Sequence, residues 1–77
     1  MKVKRLIKQY KRICKNIMFE VITEKAEETE KGTIYENIIL IGGTNQNEIK
    51  KYYNEIVKIS EFTHEIKNNI SVLIIHI

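Results

Sequence analysis

Six cations within the first fifteen residues carry the clearest chemical potential of this chain. Lys4, Arg5, Lys8, Lys11, Arg12 and Lys15 recur every three or four positions, and no acid stands among them. A turn of 100° per residue brings all six onto one arc of about 120°. Ammonium and guanidinium groups in such a row attract phosphates, carboxylates or anionic lipid headgroups. No aromatic residue interleaves them, because Tyr10 falls on the other arc, so base stacking is not expected. A nucleic acid would be held by its backbone phosphates, without regard to base sequence.

Other reactive residue types are sparse. The chain has no Asp, one Cys and two His. Cys14 falls on the apolar arc of the first segment, where a free thiol packs as a small hydrophobe. His64 sits in a polar stretch and reads as solvated. His76 sits in an apolar run and reads as a packed or interface residue. Together they fall short of the four ligands of a structural zinc site. Gly42-Gly43-Thr44 precedes a helical pattern, a place where backbone amides can receive an anion. It lacks both the Gly-x-Gly-x-x-Gly spacing and the lysine of a phosphate loop, so it reads as a tight turn. Glu24, Glu27, Glu28 and Glu30 suit a solvated loop tip or a basic partner. No nucleophile stands beside a base, and no carboxylate pair is framed by apolar residues. The expectation is a protein that is not an enzyme and carries no cofactor and no metal.

These residues need elements to position them. Val3, Leu6, Ile7, Tyr10, Ile13, Cys14 and Ile17 are spaced for the buried stripe of a helix over residues 2–16. Its start has no capping side chain, and Lys2, Lys4 and Arg5 oppose the positive end of the helix dipole. Residues 17–24 alternate as a strand, with Phe19, Val21 and Thr23 on one face and Met18, Glu20 and Ile22 on the other. An acidic hairpin tip over 25–31 ends at Gly32, which can supply a positive φ. A second strand spans 33–41. Asn45 and Glu48 then form a capping-box pattern for a second helix running to about Ser60. Residues 63–69 read as a polar linker, and 70–77 as a final strand, apolar on both faces.

The order α-β-β-α-β predicts an α+β fold. Its sheet is three-stranded and mostly antiparallel, with two helices on one face and the final strand beside and antiparallel to the first. All 77 residues form one small domain. Such a chain buries about 60% of its unfolded surface, so association is a natural source of extra stability. Val72, Ile74 and His76, on the final strand, are the expected contacts of a homodimer.

Net charge is +3. Residues 1–16 hold all of the excess. Residues 17–36 set Lys25 and Lys31 against Glu20, Glu24, Glu27, Glu28, Glu30 and Glu36, and residues 37–77 balance. No run reaches the roughly 18 apolar residues of a membrane span, and the cations of the first turns exclude a secretory signal, so a cytoplasmic location is expected. The leading expectation is a regulatory or accessory module that presents its first helix to a DNA or RNA backbone. A second is an inhibitor or adaptor that docks on an acidic protein surface, such as a phage- or plasmid-borne protein blocking a host protein or its nucleic-acid site. A third is a structural homo-oligomer subunit.

Overall fold

The computed structural model describes all 77 residues. Helix α1 (Val3–Ile13) leads into strands β1 (Ile17–Thr29) and β2 (Gly32–Ile41). A 3-10 helix (Gln46–Tyr52) follows, then strands β3 (Ile59–Glu65) and β4 (Ile70–His76). The sheet order is β2-β1-β4-β3. β1 pairs antiparallel with β2 and parallel with β4, and β3 pairs antiparallel with β4. The fold is α+β, with two helices on a four-stranded mixed sheet.

The expected three-stranded sheet is corrected by β3. Ile59, Glu61 and Thr63 alternate with Ser60, Phe62 and His64, a strand pattern rich in β-branched and aromatic residues. Phe62 stacks on Tyr10 of α1, with ring centroids 5.5 Å apart, which fastens β3 to the helix. The added strand reverses the chain once more. β4 therefore lies beside β1 as expected, but parallel to it rather than antiparallel.

The second helix stops at Tyr52 rather than near Ser60, and it is 3-10 in geometry. The chain beyond it is used to cap α1. Val3 N–H donates to the Glu55 carbonyl at 2.9 Å and Lys4 N–H to the Tyr53 carbonyl at 3.1 Å, while Val57 N–H donates to the Met1 carbonyl at 2.9 Å. A continued helix would have kept those carbonyls for itself. The missing side-chain cap of α1 is thus replaced by main-chain carbonyls from 50 residues away, and these also set partial negative charge against the positive end of the helix.

The expected capping box is also redirected. Asn45 Oδ1 accepts from Gly42 N–H at 2.7 Å, and its Nδ2 donates to the Leu40 carbonyl at 2.9 Å and to Glu48 at 3.3 Å. Asn45 therefore staples the Gly42-Gly43-Thr44 turn and does not cap the helix after it.

Both helices cover one face of the sheet. Val3, Leu6 and Ile7 of α1 and Ile49 of the 3-10 helix pack on Phe19, Val21, Ile41, Leu73 and Ile75. Ile13, expected in this stripe, is 76% exposed because α1 ends there and overhangs the core. Beyond Ile22, β1 leaves β4 and continues with β2 as a two-stranded ribbon, closing at Gly32 with φ 123°. Of the acidic residues expected in a loop tip, Glu24, Glu27 and Glu28 lie within this ladder, and only Glu30 is in the turn. Ile34, Tyr35, Ile38 and Ile39 are exposed along it.

Candidate polyanion interface

Lys4, Arg5, Lys8, Lys11 and Arg12 stand where helical spacing puts them, while Lys15 lies beyond the helix, because α1 ends at Ile13 and not at residue 16. Docking of Val3, Leu6 and Ile7 on the sheet turns the opposite side of α1 to solvent, and Lys4, Arg5, Lys8, Lys11, Arg12 and Lys15 are all exposed. None of them pairs with a carboxylate. Lys51 pairs with Glu48 at 3.1 Å, and His76 Nε2 lies 3.3 Å from Glu61 Oε2, both away from α1. The ribbon glutamates do not reach the helix. Lys11 Nζ lies 6.0 Å from the Phe19 ring centroid, at the outer limit of a cation–π contact.

Three depressions run along this side of α1. One is lined by Met1, Lys2, Lys4, Arg5 and Lys8, another by Arg5, Lys8, Gln9 and Arg12, and a third by Lys4, Ile7, Lys8, Lys11 and Tyr53. Each is bordered by three or four cations. A rise of 1.5 Å per residue spreads Lys4 to Arg12 over about 12 Å, or three to four axial steps of a nucleic acid strand.

His64 departs from its expected place. It lies in β3, not in a linker, and its Nδ1 is 2.9 Å from Ser71 Oγ. The two share a cleft with Cys14, Lys15, Asn16 and Asn69 at the C-terminal end of α1. Ser71 is buried, and no third group orients the other nitrogen of His64. Such a pair satisfies a buried hydroxyl but lacks the oriented base of an activated nucleophile. Alternation across the β3–β4 hairpin is the signal that places these residues side by side, and it was obscured by reading 63–69 as linker. Cys14 is half-buried at the lip of this cleft.

Val72, Ile74 and His76 are brought together on the face of the sheet that the helices leave bare. They are half-buried and do not lie at an edge, because β3 occupies the free side of β4.

No group of three or more His, Cys, Asp or Glu side chains is placed to hold a metal ion. No helix is long and apolar enough to cross a membrane. The chain matches no family model, no curated protein and no solved structure in comparisons of each kind.

Proposed function

We propose that this protein is a non-enzymatic module that binds the phosphate backbone of DNA or RNA through α1, as a regulatory or accessory protein. The observation that supports this reading is the unneutralised row of cations on α1, exposed along the helix and free of carboxylate partners. Arg5, Lys8 and Arg12 form its spine, with Lys4, Lys11 and Lys15 beside them. Phosphates bound there release condensed counterions, which supplies the affinity and makes it fall as salt rises. The absence of an aromatic on this side of α1 leaves base identity unread.

The test is a titration with mixed-sequence duplex and single strands over a range of salt concentrations. With about five phosphate contacts, the slope of log K against log salt on duplex is expected near −4.5, and affinity is expected to be alike across sequences. A flat slope, or no binding at low salt, would remove the reading and leave an acidic protein surface as the partner to test.

A further inference from the structure

We propose that the bare face of the sheet is a dimer interface, covered by the same face of a second copy with its strands antiparallel. It leaves Lys4, Arg5, Lys8, Lys11 and Arg12 of α1 facing outward and engages only Lys15 of the cationic row. The face is built from three cross-strand rungs. Thr63, Val72 and Met18 form the first, Glu61, Ile74 and Glu20 the second, and Ile59, His76, Ile22 and Ile39 the third. Its centre is apolar, and its two glutamates stand at the sides of the middle rung. Ile39 and Ile59 are 65% and 58% exposed. α1 and the 3-10 helix both pack on the other face and cover none of it.

Surface area and charge together point to a second copy as the occupant. A compact monomer of 9.1 kDa has an accessible surface of about 4,900 Å². This chain exposes 6032 Å². The excess, about 1,100 Å², is shared between this face and the projecting ribbon, and stacking two copies with both in contact would remove part of it from water. Only ten residues are buried in the single chain, and the radius of gyration of 14.1 Å exceeds the roughly 11.5 Å of a compact chain of this length. A nucleic acid is a poor occupant, since the carboxylates of Glu20 and Glu61 flank the apolar centre.

Charge selects the orientation. The ribbon over residues 23–38 carries Glu24, Glu27, Glu28, Glu30 and Glu36 against Lys25 and Lys31. Lys15 and Lys67 lie at the opposite end of the sheet, beside the starts of β1 and β4. Parallel stacking would set two acidic ribbons together, and so would pairing along the β2 edges. Antiparallel stacking carries each ribbon past the Lys15 and Lys67 end of the other copy. The product is a sandwich of two sheets with both α1 helices outermost, facing away from each other.

Light scattering after size exclusion tests this over a range of protein and salt concentrations. The expected mass is about twice 9.1 kDa, retained at high salt because apolar burial is not screened. Ile39→Lys with Ile59→Lys, at positions exposed in the single chain, is expected to give a monomer with an unchanged circular dichroism spectrum. The milder pair, Ile39→Ser with Ile59→Ser, is expected to weaken the dimer at least about tenfold. A wild-type chain that stays monomeric at every concentration would overturn the proposal. So would a dimer indifferent to the serine pair, or larger species that grow by edge pairing. The serine pair keeps every α1 cation and the net charge of the chain, so its salt slope on duplex reports on the nucleic acid reading separately.

Discussion

Arg5 and Arg12 occupy the centre of the cationic side of α1, two turns apart and both exposed. Replacing both by Gln leaves the buried stripe untouched. The expected result is a salt slope on duplex shallower by about two units, with affinity lost equally on all sequences and thermal stability unchanged. A loss confined to certain sequences would mean that the helix reads bases. Glu48 shows a second, smaller electrostatic effect. Its hydrogen bond from Lys51, helped by one from Asn45, holds its carboxyl below the ordinary glutamate value. A lowered folded-state value means that the contribution is present above the ordinary range and lost as pH falls through the lowered one. Lys51→Met is expected to move the Glu48 titration upward, as read from its side-chain carbon shifts.

At the scale of elements, Gln46 acts as a substitute for a strand. β2 ends opposite Val21, so nothing in the ladder pairs with Phe19 on that side. Gln46 Oε1 accepts from Phe19 N–H at 3.0 Å, and its Nε2 donates to the carbonyls of Phe19 and Gly42. Gln46→Ala strands these main-chain groups beside the core. The expected cost is about 2 kcal/mol by urea unfolding, more than the loss of an ordinary surface side chain. The ribbon is held differently. Past Ile22 it has two strands and no layer on either face, an arrangement that is marginal alone. Its amides, over residues 24–37, are expected to exchange with solvent faster than those of β1 over 17–22, as mass spectrometry of labelled peptides would show. What could be read from sequence divides along the same line. α1 and the first half of β1 were legible because each buries one face, and β2 and β4 were legible from their runs of β-branched residues. The 3-10 helix and β3 were not. Ile49, Tyr52, Tyr53, Ile56 and Val57 have helical spacing, but the carbonyls of Tyr53 and Glu55 are drawn off to α1, and that demand comes from the far end of the chain. The exposure of the α1 cations was legible for the opposite reason, since it follows from spacing along a single helix.

For the molecule as a whole, the extents of 47 × 30 × 20 Å describe a thin slab with a ribbon projecting from it. The slab has helices on one side only. A single extra reversal of the chain at β3 changed β4 from an antiparallel neighbour of β1 into a parallel one, and from an edge into an interior strand. That is the part of the architecture least accessible to local patterns, because direction depends on the number of turns rather than on any one residue. Paired as proposed, two copies would present cations on opposite outer surfaces, so one dimer could tie together two separate strands or duplexes.

The carbonyls that complete α1 also govern when it can form. An eleven-residue helix with cations at its start is unstable alone in water. Its partners at Tyr53 and Glu55, and the β4 residues that flank β1, lie some fifty or more residues further along the chain. The basic segment is therefore expected to stay uncoiled until these distant partners are in place, and contacts of such long sequence separation form slowly.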